Sequence, residues 1–552
     1  MFRAGIRLRV LMSFGSSRNA APHGTRGFLH AVCQSLIPCV LLSPLVVTSA
    51  AKAQGLVDGS PPPLPSTIFE TLRVPAPTGS LAPLNNLPPA KLSGLSIEQA
   101  VQLSVDRNPK LKASYLTFRS SQDLVGAAFA AWWPTLDLSV GTGPYKYNQD
   151  ESGSDSTEAI FSSLFSGSSA FSSDFSSSNL QSVSGQPDGS YLYSTLTFSL
   201  TWDVINPTRS LDIWKSKYES LRDADRYTIT YRDLKLNVEN AYVALQASNA
   251  QKLAYEAIVE NALYLVKVTE DKQGFGVASG VDVAKQKTNY FSDLAQLQKA
   301  IRDIKVDQSN LAELLNVKNA EQISLAQTLK PLGAWSYSLQ ETLEASIQYR
   351  KVVQEMLLDS YIQDVNSNIE LATYLPTLQL VAQLYGNQTG YWTESYSDFV
   401  KNPSAVLTFQ WTGFDGGSAR MRSSSYQKLA ESAYQAYLDT VNQVKKEARS
   451  GFYQVEKGKD IVLSSAAQVQ QASKSLELQT ARFQLGYGSV TDLVQAQQQM
   501  AQAVLDYVAN LRQYNQDLLT LARNTGLEID RGALFLDAVG EPLASLRRIT
   551  RL

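Results

Sequence analysis

Two stretches, Trp132-Trp133-Pro134-Thr135-Leu136-Asp137-Leu138 and Tyr374-Leu375-Pro376-Thr377-Leu378-Gln379-Leu380, share one form: the end of a helical run, a stopping proline and an alternating strand. Their prolines lie 242 positions apart, and the helix openings Ser96-Ile97-Glu98 and Ser338-Leu339-Gln340 repeat at the same spacing. Further on, Leu196-Thr197-Phe198 returns as Leu407-Thr408-Phe409, and Gly276…Ser279…Asp282 returns as Gly486…Ser489…Asp492. Each copy reads helix, strand, strand, very long helix, glycine turn, helix. A period this long points to a duplicated half rather than a solenoid. The halves fall at 95–330 and 331–527, with a tail over 528–552.

Helices are predicted over 96–133, 207–274 and 281–318 in the first half, and over 338–375, 417–486 and 489–525 in the second. Within the first of these, Asn108-Pro109 supplies a second cap and an N1 proline, so a new helix starts there and Pro134 ends it. From Pro207 to Gly274 no glycine or proline intervenes, which gives a rod of roughly 100 Å. Leu234, Val238, Ala241 and Leu245, and then Tyr255, Val259, Ala262 and Val266, recur at three- and four-residue steps, the spacing of a coiled coil with small residues at the contact. Val462, Ala466, Val469, Ser473 and Leu476 repeat it in the second half. The shorter helices, about 36 Å and about 55 Å long, nearly equal the rod when stacked. Each half is therefore expected to lay one long helix beside two short ones, with a hairpin tip at 274–280 or 486–489.

Composition narrows the chemistry. The chain has 552 residues and a net charge of −2, with no basic footprint for nucleic acid. A basic stretch (Arg3, Arg7, Arg9, Arg18, Arg26), an apolar run from Leu36 to Val47 and Ala51-Lys52-Ala53 read as a secretory signal over 1–53. The apolar run is about a dozen residues, short of the roughly 20 that a spanning helix needs. Cleavage would remove both cysteines (Cys33, Cys39) and both histidines (His23, His30), leaving no disulfide, usual zinc site or Cys/His nucleophile. Met356, Met421 and Met500 are then the only soft ligands in the body, so metal cargo is not expected. Residues 54–94 are proline-rich and read as an extended arm. Gly274-Phe275-Gly276…Gly280 follows a helix rather than a strand, which excludes a dinucleotide loop. No cofactor and no catalysis are expected.

Strands are predicted over 135–147, 190–205, 377–391 and 404–414. Leu136, Leu138 and Val140 alternate with Thr135, Asp137 and Ser139; Leu196, Phe198, Leu200 and Trp202 alternate with Thr197, Ser199, Thr201 and Asp203. Leu378, Leu380 and Leu384, and then Leu407, Phe409 and Trp411, do the same against Thr and Gln. A soluble sandwich would alternate too. Strand length near 10 residues and tryptophans in or beside the strands (Trp132, Trp133, Trp202, Trp392, Trp411) favour a membrane barrel, with the apolar sides toward lipid. Four strands cannot close a barrel, and an open edge in lipid costs several kcal/mol per unpaired group, so other copies must complete it. The serine-rich 148–189, with Phe161, Phe165, Phe171 and Phe175, reads as a long outer loop.

The stretch Arg482-Phe483-Gln484-Leu485-Gly486-Tyr487-Gly488-Ser489-Val490-Thr491-Asp492-Leu493, followed by Ala496-Gln497, resembles the tip motif of the TolC-like outer membrane efflux proteins. Trp411-Thr412-Gly413-Phe414-Asp415-Gly416-Gly417 is similar to that family's strand-to-helix turn, from which the first copy departs as Trp202-Asp203-Val204-Ile205-Asn206-Pro207. The resemblance spans about 95–527. It implies a mostly α protein with a small transmembrane β part: a homotrimer whose three four-stranded sets make a 12-stranded barrel above an α-helical periplasmic tunnel. It also implies a passive exit duct for efflux or type I secretion, fed by an inner-membrane pump (RND, ABC or MFS type) through a periplasmic adaptor. By the same resemblance Gly274, Gly276, Ser279, Gly280, Gly486, Gly488 and Ser489 meet the adaptor, and Asp492 lines the gate. Gln495 stands at the next acidic gate position, Gly488 at a basic one, and Asp282 is the first-copy counterpart. The bland alternative for both aspartates is capping of their own helices. A coiled-coil adhesin or an adaptor without a pore would account for the helices but not for the strands.

Overall fold

The first helix, α1 (Ile97–Arg107), starts on a capping box in which Ser96 accepts from the Gln99 backbone NH and the Gln99 side chain returns to Ser96. Asn108 breaks it and caps α2 (Pro109–Ala130) by accepting from the Leu111 NH. Then come β1 (Thr135–Tyr147), β2 (Gly189–Ile205), α3 (Arg209–Gly274) and α4 (Gly280–Leu315). A short 3₁₀ turn at Ala320–Gln322 leads into the second half: α5 (Leu339–Tyr349), α6 (Lys351–Ala372), β3 (Thr377–Tyr391), β4 (Val400–Gln410), α7 (Ser418–Gln484) and α8 (Val490–Thr525). This computed structural model describes residues 92–147, 189–391 and 400–532, all within one unit of the chain, Pro61–Leu552. The signal, nearly all of the proline-rich arm, the serine-rich loop, Trp392 and most of the tail lie outside the described residues.

Two elements differ from the sequence expectation. The helix expected over 338–375 is interrupted at Arg350, whose backbone is extended (φ −82°, ψ 109°). Arg350 lies 242 positions after Asn108, so the break is the image of the first-half break, without the proline that announces it there. The fourth strand runs Val400–Gln410 rather than 404–414, with Pro403 inside it. Proline is tolerated because β4 is an edge strand of this chain's sheet.

The helices form side-by-side columns. α3 packs against α1, α2 and α4 of its own half and against α6 and α8 of the other, while α7 packs against α5, α6 and α8. With 66 residues α3 is about 100 Å long, close to α2 (22 residues) and α4 (36 residues) laid end to end. Small side chains let the rods approach: Ala466, Ala496 and Ala503 are buried between α7 and α8, and Val243, Ala247, Ala250 and Ala254 of α3 join the same core. A second core gathers Leu95, Ile97, Leu111, Leu234, Val238, Tyr242 and Leu311 around α1 and α3.

The connection between the halves is stitched into the body. Leu95 bridges Leu325, and Ala334 bridges Asp530 beyond α8. Tyr514 donates its hydroxyl to the Gly333 carbonyl (2.9 Å), and Asn515 bonds the Leu332 NH (3.0 Å) and the Lys330 carbonyl (2.9 Å).

Candidate functional site: an apolar sheet face and two helix tips

The four strands make one antiparallel sheet in the order β1-β2-β3-β4, so β1 and β4 are its edges. Register brings most of the large apolar side chains to one face, while Val381 and Val406 pair with each other on the other. Leu136 faces Leu200, Leu138 faces Phe198, and Val140 faces Leu196. Phe198 faces Leu384, Trp202 faces Leu380, Leu378 faces Phe409, and Leu380 faces Leu407. Most of these side chains stand open, with Leu200, Leu378 and Leu380 half-buried: Leu138 is 62% and Phe409 65% exposed, and Trp411 continues the row. The opposite face pairs Asp137 with Ser199, Ser199 with Gln383, and Gln379 with Thr408. A contiguous apolar face of this kind marks contact with another protein or with lipid.

Two of the tryptophans also join the sheet to the helices. The Trp202 indole NH donates to the Trp132 carbonyl (3.2 Å), and that of Trp411 donates to the Tyr374 carbonyl (3.0 Å). In both copies the acceptor sits two residues before the stopping proline. The second-copy turn adds Asp415, whose carboxylate accepts from the Tyr374 hydroxyl and from the Gly417 and Ala419 NH groups (2.8 and 2.7 Å). Those donors, Tyr374 first, hold its pKa below the ordinary aspartate value. The first copy replaces this with Arg209, which donates to the Asp203 carbonyl and lies 4.5 Å over the Trp132 ring.

At the far ends of the rods the two tips are alike in backbone and unlike in chemistry. Gly276 (φ +74°) and Gly486 (φ +82°) take the left-handed conformation that closes each turn. A Cβ on Gly488 would come within 2.9 Å of the Phe483 nitrogen, so the second turn also requires glycine there. Gly274 is the last residue of α3 and Gly280 the first of α4, so both lie inside helices rather than in the turn. Phe275 (84% exposed) and Tyr487 (82%) project from the tips.

The caps separate the two aspartates. Ser279 accepts from the Asp282 NH, and the Asp282 carboxylate accepts in return from the Ser279 NH (3.0 Å) and hydroxyl (2.8 Å). Those bonds lower the Asp282 pKa. Ser489 likewise accepts from the Asp492 NH (3.1 Å), but no capping box forms. The Asp492 carboxylate has no hydrogen bond or ion pair among the described residues, and both it and Gln495, one turn on, are exposed.

Sequence reasoning missed the tie between the tips. Lys272, near the end of α3, donates to the Phe483 carbonyl at the end of α7 and sits 3.6 Å over the Phe483 ring. Gln484 donates to the Tyr264 hydroxyl (3.3 Å) and Gln497 to Asn261 (3.1 Å). Nothing in the spacing of Lys272 announces a partner more than 200 positions away.

Among the described residues, no helix is long and apolar enough to cross a membrane. Residues 100–317 and 340–527 match the family model for the outer membrane efflux protein, one matched segment in each half. The chain belongs to that family. Its members are passive channels rather than enzymes, and the protein is a component of the cell outer membrane. No curated protein sequence matches it. Among solved structures it is similar to the CmeC outer membrane channel of Campylobacter jejuni (14% identity, 82% of this chain and 89% of that one, TM-score 0.63). It is also similar to the outer membrane protein VceC of Vibrio cholerae (16% identity, 78% and 96%, TM-score 0.59). The open state of the MtrE outer membrane channel of Neisseria gonorrhoeae is a third (14% identity, 79% and 90%, TM-score 0.59). At these identities the likeness is one of fold.

Proposed function

We propose that the chain is the outer-membrane exit duct of a tripartite efflux or type I secretion system, working as a homotrimer. The observation that carries this reading is the open sheet, with one exposed apolar face and two unpaired edges. Three copies joined edge to edge would satisfy the backbone and turn every apolar face to lipid. The outer helix columns support it, since Leu116, Leu124 and Phe291 on one side and Leu429, Ile461 and Leu478 on the other are exposed. The tunnel would continue across the periplasm, where an adaptor would meet the tips at Phe275, Ser279, Tyr487 and Ser489 and couple them to an inner-membrane pump. Native mass spectrometry of detergent-extracted protein should give a trimer, and planar bilayers a sealed or weakly conducting pore. A monomeric, detergent-independent rod would defeat the proposal.

The gate reading rests on Asp492, because its carboxylate is free while that of Asp282 caps its own helix. One carboxylate per copy, with Gln495 a turn away, would make a ring that favours cations. Asp492→Ala is expected to lower cation selectivity several-fold; reversal potentials unchanged in a salt gradient would remove Asp492 from the bore. Lys272→Met deletes the ammonium that holds the second tip to the first, and single-channel conductance of the resting pore should rise. Conductance equal to wild type would show that the tie does not restrain the tip.

A further inference from the structure

The seam between the halves changes character along α3. Toward the tips it is apolar, made by Val243, Ala247, Ala250 and Ala254. Beside the α5–α6 break it is built of charges. Arg222 bonds Asp359 of α6 (3.1 Å), Arg226 bonds Glu355 (2.6 Å), and Asp225 meets Lys351 (3.3 Å). Arg232 donates to the Tyr349 carbonyl (2.6 Å), Arg523 of α8 pairs with Asp233, and Arg350 pairs with Glu447 of α7. Most of these pairs are half open to water. Asp225–Lys351 is not: the two side chains are 5% and 9% exposed. The break in the second half is thus clamped on both sides by its own two basic residues, Arg350 and Lys351.

We propose that this charged stretch is a proton-sensitive clamp between the two halves, closing more tightly in acid than at neutral pH, with Asp225 as the group that takes up the proton. The geometry supplies the coupling. While the seam is closed Asp225 is enclosed; when it opens, water reaches the carboxylate. Burial pushes Asp225 up to about 6 and outweighs the pull of Lys351, and Glu355 adds to the rise. The groups around it are Lys351, Glu355 and Asp359 from α6, and Arg222, Asp223, Arg226 and Arg232 from α3 itself. α2 brings Ser114 and Ser121 to Thr230 and Ser220 of α3, and α8 brings Arg523 to Asp233. On protonation Lys351 keeps Gln354 as its acceptor (2.6 Å).

The sign follows from linkage. A carboxylate raised in the closed state binds its proton more tightly there, so the closed seam gains as pH falls through about 6 and stops gaining below the ordinary aspartate value. A rise from that ordinary value to about 6 limits the effect to about a hundredfold in the closing equilibrium. Burial also raises Glu239, Asp293 and Asp517, so a global melting curve would mix several groups and the readout must be local.

The test is amide hydrogen exchange on the full-length assembled protein in lipid, at about pH 5 and about pH 7.5, corrected for intrinsic rates. Peptides covering 222–232 and 350–359 should gain about tenfold protection in acid, and 243–254 much less. In Asp225→Asn the same peptides should be protected alike at both pH values. Equal wild-type protection at the two pH values, or a pH response retained in Asp225→Asn, overturns the clamp. Should that variant not assemble, Glu355→Gln removes a charge that raises Asp225, and the midpoint of protection should move to lower pH; an unmoved midpoint overturns the proposal equally.

Discussion

Gly333→Ala should prevent the two halves from closing on the end of the chain. Gly333 has φ +151°, a conformation L side chains rarely adopt, and an added Cβ would lie 2.3 Å from the Asp530 carbonyl oxygen and 2.8 Å from Ile529 Cγ2. The obstacle is backbone, so no rotamer relieves it. Moving the strand away breaks the reciprocal bonds between Ala334 and Asp530 (3.0 and 3.2 Å) and takes the Gly333 carbonyl from the Tyr514 hydroxyl. Strain at such a φ costs about 1–3 kcal/mol, and a buried hydrogen-bonding group that loses a partner about as much again. Gly94→Ala is the matched control, since Gly94 also has positive φ (+65°) but nothing within 4 Å of its Cβ. Thermal unfolding followed by circular dichroism should put Gly333→Ala far below Gly94→Ala. Equal losses would mean that strain alone matters and that the Asp530 strand is not held.

Much of this molecule is legible in its amino-acid sequence because the chain repeats itself, and the legibility stops where contacts cease to be local. Strand alternation and long glycine-free runs are local, periodic signals, so the sheet face and the rods can be read directly from residues such as Leu138, Phe198 and Val238. The break at Arg350 carries no local signal; only its spacing from Asn108 marks it. The early start of β4 is hidden by Pro403, which argues against a strand until the edge position is known. The free Asp492 and the capped Asp282 have near-identical sequence neighbourhoods, Ser-Val-Thr-Asp and Ser-Gly-Val-Asp, and differ in whether the carboxylate turns back to the cap. Lys272 with Phe483, and Asp225 with Lys351, join positions far apart in the chain. Pairings of that kind depend on how the columns are ordered, which periodicity does not specify.

The sheet offers the sharpest test of membrane embedding, because neighbouring residues of one strand make opposite predictions. Phe198 sits mid-sheet on the apolar face, between Leu138 and Leu384; Ser199 points the other way, between Asp137 and Gln383. An arginine facing lipid near the bilayer midplane costs about 2–4 kcal/mol per copy, or about 6–12 kcal/mol when a trimer carries three. Phe198→Arg should therefore abolish stable insertion, read as loss of the protein from outer-membrane fractions. Ser199→Arg keeps its guanidinium in water and beside the Asp137 carboxylate, so insertion should survive and the change should appear in ion selectivity instead. The contrast separates lipid contact from mere destabilisation, since both variants add the same charge and bulk one residue apart. If both insert normally, the apolar face meets something other than lipid. If both fail, the sheet tolerates no arginine and the two faces are not distinguished by solvent.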